Sequence, residues 1–361
     1  MAVQPKYSVV LKLPTGVKYE FEQYSGLQWE DYENQPGRCK FSIPYTDRKL
    51  LNLTDTNRFI QIYIYRDGTL FWQGFVAFVS DDVNKTTFYG LSLLETLKWY
   101  RSGYNTTYTT QKIGSQIISP IFDAINSRTG AILGDVVAKG TIEDPYTTGT
   151  STEKTITRTV FDETFFDLCQ EMIAISRADS PSGAWVQNTV MAVSLSETAP
   201  TFSFLRNVGA NKPQVIFELD SELTDFLYTQ DYRFIQNDIK GLAIISGPKI
   251  ETSTVTDSTS VTNHYLREIS PVFDRISTAS ELTERTKNFL KESKDIESNW
   301  YLSFTASIAP YNGYVMGDNV IVRLNRGRVS LNTYFRVIGM EVTVSDQGSE
   351  ITHPILQEVR S

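Results

Sequence analysis

Two Gly-interrupted aromatic segments, one near each end of the chain, constrain its fold more than any other feature. The first is FWQGFV at 71–76, followed by FYGL at 88–91. The second is GDNVIV at 317–322, followed by YFRVIG at 334–339. Aromatic and β-branched side chains favour strands, and a glycine inside such a run is typical of a bulge, a tight corner or a close backbone approach. Each pair of segments therefore predicts half of a small β-barrel, in which one strand presents an apolar face and the next returns.

Length and composition favour a chain of more than one domain that is rich in strands. With 361 residues it exceeds the size of one ordinary core, so two or three domains are expected. It holds 19 Tyr and 20 Phe residues, a load that suits pleated, half-buried surfaces. We predict a mainly β (α+β) protein with two tube-like β-barrel domains and a small α/β insertion domain between them.

Charge, cysteine content and hydropathy argue against several classes of protein, although a local basic patch stays open. The formal net charge of −8 argues against specific nucleic-acid binding, which calls for a basic face. Cys39 and Cys169 are the only cysteines, so no disulfide framework is implied. No apolar run reaches the roughly 18–20 residues of a membrane span, and the N-terminus lacks the pattern of a signal peptide.

The first predicted domain comprises residues 1–103. Asp67-Gly68 is a strong two-residue hairpin signal, and it separates a predicted strand at 59–65 from another at 69–79. A further strand is predicted at 86–91. The sequence SLLE at 92–95 has the form of a capping box, with Ser92 placed to cap a helix that ends near Tyr100.

The second predicted domain, residues 104–200, reads as a small α/β insertion. Helical spacing of apolar residues near 118–125 predicts one helix. A second helix is predicted after Asp162, its expected cap, because an apolar stripe repeats at helical intervals: Phe165, Leu168, Cys169, Met172 and Ile173.

The third predicted domain, residues 201–361, returns to strands. Runs at 215–219 and 242–245 are strand candidates, and 252–262, which is almost entirely Ser, Thr and Val, could be an exposed loop or an edge strand. Thr278 and Glu281 form a second capping-box match that opens a helix. Several strands follow Trp300, with Gly-containing turns between them.

Residues with catalytic potential are few. His264 and His353 are the only histidines, and neither has the spacing of a metal site. The pair Asp81-Asp82 reads as a hairpin turn, while Glu218 and Asp220 read as solvated strand residues rather than as an acid and a base for hydrolysis. We predict no enzyme activity, no catalytic or metal-binding residues and no cofactor.

The motifs of the first and last segments resemble those of phage tail hub proteins, namely the baseplate hubs and the siphophage tail-associated proteins. In the first domain of that family a strand ending in W-x-G, here Trp72 and Gly74, is followed by a strand and then a helix, and Gly90 lies in the segment of this chain, 88–97, that resembles them. In its last domain a G-D-x-V turn, here Gly317 and Asp318, precedes an R-V-x-x-x-E strand, here Arg336 and Glu341. Between them Asn237 is similar to the residue that leads into the second barrel.

This resemblance implies a homotrimeric hub in the virion, at the tail tip or baseplate, made in the host cytoplasm. Such a hub would connect a hexameric tail tube, or a distal tail protein, to a spike or fibre protein. It would contact the tape-measure protein, line part of the DNA channel and take part in host attachment and DNA ejection. The alternative is a carbohydrate-active tail protein, either a receptor-binding module or a peptidoglycan hydrolase.

Overall fold

The structure is a computed structural model, and it describes residues 5–53, 59–103, 106–146, 152–178, 189–206, 208–245, 249–274, 276, 278–294, 297–304, 313–327, 329–346 and 348–359. Strands predominate over helices in these residues, so the prediction of a mainly β protein is confirmed. No helix in them is long and apolar enough to cross a membrane.

The first part of the chain is a run of strands that ends in a short helix. The strands are β1 Tyr7–Lys12, β2 Lys18–Phe21, β3 Ser25–Tyr32, β4 Gln35–Pro44, β5 Gln61–Arg66, β6 Thr69–Asp81 and β7 Lys85–Ser92. The predicted hairpin joins β5 to β6, and Asp67 and Gly68 both have positive φ, at 50° and 77°. A two-residue turn of this kind matches the twist of its strands, which explains the strength of the Asp-Gly signal.

The helix after β7 exists, but its predicted cap is wrong. It is a 3-10 helix, Leu93–Trp99, and the side chain of Ser92 makes no capping hydrogen bond. Instead the Ser92 hydroxyl accepts a hydrogen bond from the backbone N–H of Gly37, at 3.0 Å. The hydroxyl oxygen that the local pattern predicted to cap the helix is therefore engaged in a tertiary hydrogen bond with β4.

The middle part of the chain combines short strands with helices. Its elements are β8 Thr106–Lys112, α1 Ser119–Asn126, α2 Ile132–Asp135, β9 Ala138–Ile142, β10 Thr155–Val160, α3 Phe165–Ala178 and β11 Val190–Val193. The stripe predicted for α3 is fully buried, as expected. The cap is Thr164 rather than Asp162, because the Thr164 hydroxyl accepts from the N–H of Asp167 at 3.0 Å.

The core of the middle part is continuous with the end of the first part. Phe75, Leu93 and Leu97 pack in one buried cluster with the apolar faces of α1 and α3 and with Phe202. A loop at 194–200 also reaches the first sheet, where the N–H of Ser196 donates to Gln73 Oε1 at 2.9 Å. The middle part is therefore anchored to the first strands by both apolar and polar contacts.

The last part of the chain contains most of the remaining strands. Its elements are β12 Thr201–Leu205, β13 Asn211–Glu218, β14 Leu223–Asp231, β15 Asp238–Ile244, β16 Ile250–Thr256, α4 Ser258–His264, β17 Glu268–Ile269, α5 Ala279–Ser293, β18 Glu297–Phe304, β19 Asn319–Arg326, β20 Val329–Val344 and β21 Glu350–Glu358. Thr278 caps α5 as predicted, accepting from the N–H of Glu281 at 3.1 Å. The Ser/Thr/Val run is an edge strand as far as Thr256, after which Asp257 caps α4, a helix that the sequence did not predict.

One sheet of 11 strands joins the two ends of the chain. Its order is β13-β19-β20-β3-β4-β7-β6-β5-β1-β2, and β21 pairs with β20 as well. The strand pairings among the described residues do not close a barrel. Two apolar cores lie along this sheet. The first core lies inside β1–β7 and includes Val342 and Val344 of β20, and the second core surrounds β19 and the first half of β20.

Candidate functional site

The long strand β20 changes partners halfway along, and three of the predicted motif residues meet at that point. Its first half, 329–336, pairs with β19, and its second half, 339–344, pairs with β3. At the change the N–H of Val337 donates to the carbonyl of Asp318, and the N–H of Glu33 donates to the carbonyl of Ile338, at 2.8 and 2.7 Å. We call this place the strand junction, and define it by Glu33, Gly209, Gly317, Asp318 and Arg336.

Arg336 occupies the centre of the strand junction. Its side chain is 1% exposed, and its Nε donates to Glu33 Oε2 at 2.7 Å. Its Nη1 donates to the carbonyls of Gly317 and Val208, at 2.5 and 3.1 Å. A buried guanidinium requires a counter-charge and hydrogen-bond acceptors, and here one carboxylate and two carbonyls supply them. Arg336 thereby ties the end of β3 to the segments that enter β13 and β19.

The Gly317-Asp318 turn is built for this position. Gly317 has a φ of 95°, which a residue with a side chain rarely adopts, and a Cβ added to its neighbour Gly209 would lie 1.7 Å from the Gly317 carbonyl oxygen. Asp318 is 3% exposed and its carboxylate accepts from the N–H groups of Ala210 and Val315, at 2.8 and 3.0 Å. The motif therefore serves backbone packing at the strand junction.

The motif residues of the first segment form a separate group. Trp72 is 2% exposed in the first core. A Cβ on Gly74 would lie 2.1 Å from the Leu91 carbonyl oxygen, and one on Gly90 would lie 2.5 Å from Ile62 Cδ1. The register of β6 is regular at Gly74 and shifts on either side of it, between Leu70 and Trp72 against β5 and between Val76 and Phe78 against β7, so close packing, and not a bulge, requires that glycine.

Asn237 and Glu341 lie apart from both groups. Asn237 is fully buried at the start of β15, where its side chain donates to the Tyr265 carbonyl at 2.7 Å and accepts from the N–H of Arg267 at 2.8 Å. Glu341 is exposed on β20, opposite Glu30, and Tyr32 Oη lies within hydrogen-bond distance of both carboxylates, at 3.3 and 3.1 Å, so that its one proton is donated to either of them. Burial, aided by the charge of Glu30, raises the pKa of Tyr32 to about 12.

Asp31, next to Tyr32, is the most strongly perturbed acid near the strand junction. Burial raises its pKa to about 7, and the N–H of Tyr32 at 3.2 Å only partly offsets that effect. Sequence reasoning missed Asp31, since nothing in its neighbourhood on the chain indicates a buried acid.

A second group of charged residues surrounds a cavity of about 550 Å³ between β10, α3 and α5. Arg158 is 3% exposed, and its Nη2 donates to Glu171 at 2.5 Å and to Glu163 at 3.2 Å. Arg285 of α5 also donates to Glu171, at 2.5 Å, and Glu281 of α5 lies 3.7 Å from Arg158. We call these five residues the cavity network. One sequence feature could have predicted the cavity network. In the strand TITRTV at 155–160, Arg158 alternates with the apolar residues Ile156 and Val160 and so takes an inward position.

The histidines and acidic pairs with catalytic potential do not come together in one catalytic group. Asp82 accepts from the N–H groups of Asn84 and Lys85 in the turn between β6 and β7, as the hairpin interpretation predicted, and the first of these bonds lowers its pKa most. His264 ends α4 and His353 lies in β21. Within the described residues no three His, Cys, Asp or Glu side chains are grouped to hold a metal ion.

No protein-family model matches this sequence, and no curated protein matches it. Solved structures do match its fold. The 43 kDa tail protein of prophage MuSo2 from Shewanella oneidensis is 14% identical with a TM-score of 0.59, and the match covers 98% of each chain. The prophage tail protein gp18 from Listeria monocytogenes is 11% identical with a TM-score of 0.58, covering 98% of this chain and 95% of that one.

A third similar structure is the E. coli c3393 protein, described as a component of the type VI secretion system with structural similarity to the T4 tail proteins gp27 and gp5. It is 12% identical with a TM-score of 0.50, and the match covers 97% of this chain and 76% of that one. At these identities the likeness concerns the fold. The chain has the fold of phage tail proteins, and the family resemblance predicted from its motifs is confirmed at that level.

Proposed function

We propose that this protein is a non-enzymatic structural component of a phage or phage-like tail, and that it forms the homotrimeric hub at the tail tip or baseplate. The single observation that carries the proposal is a fold match over nearly the full length of two prophage tail proteins. In this role the hub is made in the host cytoplasm and incorporated into the virion, where it takes part in host attachment and DNA ejection.

The arrangement of the chain suits a change of symmetry along the tail. We take residues 1–103 and 201–361 as two barrel-like modules and 104–200 as the insertion between them. Three chains with two such modules each would present six modules to a hexameric tube, while the trimer presents three-fold symmetry to a spike or fibre, and a closed ring leaves no interface unpaired. Gly317, Asp318 and Arg336 then act in holding the modules together, and the strand junction is the physical link between them.

The charge of the chain suits a passage for DNA. A net charge of −8 gives the ring a supply of acidic side chains, and a neutral or acidic wall lets a duplex pass without retaining it. We expect the tube or a distal tail protein on one side of the ring, a spike or fibre on the other, and the tape-measure protein within reach of the channel. Specific nucleic-acid binding is not part of this role.

Native mass spectrometry of the purified chain, together with cryo-microscopy of intact tails, tests the proposal. We expect three copies around an open, non-basic channel at least about 20 Å wide, the approximate width of a DNA duplex. Six copies, or a monomer within intact tails, would contradict the trimeric hub. Hydrolysis of purified cell walls or binding on a glycan array by the isolated chain would favour the carbohydrate-active alternative.

A further inference from the structure

Strand β16 is the outer strand of a three-stranded sheet in the last part of the chain. The sheet order is β16-β15-β17, and all seven residues of β16, 250–256, pair with β15 in an unbroken antiparallel register. Successive residues of an antiparallel strand direct their backbone groups alternately toward the paired strand and away from it. Within the described residues β16 pairs with β15 alone, and the backbone groups of 250–256 have no other hydrogen-bond partner. The outward N–H and C=O groups of β16 therefore form an open edge.

One face of β16 is covered by a helix and the other is exposed. The Ser253 hydroxyl lies 3.3 Å from the Thr283 hydroxyl of α5, so α5 covers the face that carries Ser253. Four side chains of the opposite face are exposed: Ile250, Thr252, Thr254 and Thr256. Ile250 pairs with Ile244 of β15, and these two side chains are 57% and 65% exposed. A strand beside β16 would therefore have apolar and β-branched neighbours on this face.

The edges of the large sheet have features that hinder the addition of a strand, and β16 lacks them. At one end of that sheet β2 has four residues, of which Lys18 and Glu20 are charged. At the other end β13 contains Lys212, Pro213 and a register shift. Short length, charge, proline and irregular register each protect an edge from further pairing. In β16 the register is regular, proline is absent and Glu251 is the single charged residue.

The size of this edge favours an extended segment over a second folded copy of the chain. A strand of this length extends about 23 Å, and at the roughly 10 Å thickness of a sheet its edge presents on the order of 200 Å². Stable interfaces between folded proteins bury about 800 Å² on each partner. An extended segment that adds a strand is bound by main-chain hydrogen bonds and does not need so wide a surface.

The charges beside the edge are balanced, which favours an uncharged segment. Lys249 Nζ lies 3.2 Å from Glu251 Oε1 at the start of β16. On the exposed face β15 contributes one cation and one anion, Lys240 and Asp238, and Asp238 accepts a hydrogen bond from the Thr256 hydroxyl. A charged segment would therefore gain no net attraction at this edge.

We propose that the open edge of β16 binds an extended, uncharged segment of a partner polypeptide, which becomes the fourth strand of this sheet. Backbone amides and carbonyls of the segment would pair with those of β16, while its apolar or β-branched side chains would lie beside Ile250 and the exposed threonines. The length of β16 limits the segment to about seven residues. This binding site is independent of the hub role, because its test does not depend on the number of copies in the ring.

The probe is a capped, fluorescein-labelled heptapeptide of alternating valine and threonine, measured by anisotropy against the full-length protein. Its control is the same peptide with every backbone nitrogen methylated, which keeps the side chains but removes the backbone donors. We expect saturable binding with a Kd of about 0.1 mM or lower, and at least about tenfold weaker binding of the methylated peptide. No saturable binding, or equal binding of the two peptides, would overturn the proposal.

Two neighbouring proline substitutions locate the binding. Because backbone direction alternates, one of Thr252→Pro and Ser253→Pro removes an outward N–H and the other removes a hydrogen bond to β15. We expect the first to keep its thermal midpoint and to bind the peptide at least about tenfold more weakly, while the control Thr252→Ala binds within about twofold of the parent. Unchanged binding by the proline variant that keeps its midpoint would refute the site.

Hydrogen exchange of the parent protein gives a test that needs no variant. Saturating peptide should slow the exchange of amides within 250–256 at least about fivefold, because outward N–H groups become hydrogen-bonded. Protection elsewhere without protection of this strand would place the peptide at another site and overturn the proposal. If the parent protein without peptide instead self-associated through β16, shown by protection of 250–256 that disappears on dilution, the occupant would be a second copy and the proposed partner polypeptide would be excluded.

Discussion

Two buried arginines, Arg336 and Arg158, show how the same residue type serves different ends. Arg336 lies in the close-packed strand junction, where it contacts one carboxylate and two backbone carbonyls. Arg158 borders a cavity and faces three carboxylates, those of Glu163, of Glu171 on α3 and of Glu281 on α5. Arg336 therefore joins three segments of backbone through hydrogen bonds, whereas two partners of Arg158, Glu171 and Glu281, line a cavity of about 550 Å³. Burial alone does not distinguish an arginine that links strands from one that lines a cavity; the surrounding packing does.

Removing Arg336 should have the largest effect. Arg336→Ala removes the guanidinium that contacts the buried Glu33 carboxylate, so we expect a loss of about 3–5 kcal/mol in the free energy of unfolding, measured by urea denaturation. The double variant Glu33→Gln/Arg336→Met removes both charges and should recover a large part of that loss. An equal loss in the double variant would mean that shape, and not charge, maintains the strand junction.

Gly209→Ala should have the next largest effect. Its Cβ would lie 1.7 Å from the Gly317 carbonyl oxygen, in addition to the strain of a φ of 94°. We expect a loss of about 3 kcal/mol in the free energy of unfolding. Gly327→Ala is the matched control, because its φ is also positive, at 62°, but nothing lies within 4 Å of the added Cβ. A similar loss in both variants would assign the whole effect to backbone strain and remove the evidence for tight packing.

Asp31→Asn should stabilise the protein in a pH-dependent manner. Burial raises the pKa of Asp31 from 3.8 in the unfolded chain to about 7, so the folded state favours the protonated acid. Stability contributed by the protonated form is present below about pH 4 and is lost as the pH rises to 7. We expect Asn to leave the thermal midpoint unchanged at pH 4 and to raise stability by about 1–2 kcal/mol at pH 8, since the side chain is only partly enclosed. The same gain at both pH values would rule out ionisation as the cause.

Arg285→Ala should have the smallest effect. Arg285 is 32% exposed and contacts Glu171 beside the cavity, where water can replace it. We expect a loss of no more than about 1 kcal/mol, reduced further in 0.5 M salt. Lys287→Ala, which removes the exposed pair with Glu284, is the control for a surface ion pair. A loss of several kcal/mol would place the cavity network in the same class as the strand junction.

Sequence reasoning succeeded where neighbours along the chain decide the structure. The Asp67-Gly68 hairpin, the buried stripe of α3 and the Thr278 cap each depend on a few adjacent residues, and each is confirmed. The caps assigned to Ser92 and Asp162 are wrong. The Ser92 hydroxyl accepts a hydrogen bond from the N–H of Gly37 in β4 instead of capping its helix. The cap of α3 is Thr164, two residues after Asp162. A local pattern predicts the wrong cap where a donor from a distant segment binds the capping oxygen. It also fails where the helix begins two residues later than the pattern indicates.

By itself, the sequence determined the mainly β character, most strands and turns, and the residues whose motifs resemble a tail hub, because composition, periodicity and turn chemistry act over short distances. Only the tertiary structure decided that Gly317, Asp318 and Arg336 meet Glu33 from the far end of the chain. It also decided that Arg158 and Arg285 share Glu171 at a cavity. Strand pairing is non-local, so the position at which β20 leaves β19 for β3 follows from the packing of two cores and not from any stretch of its own sequence.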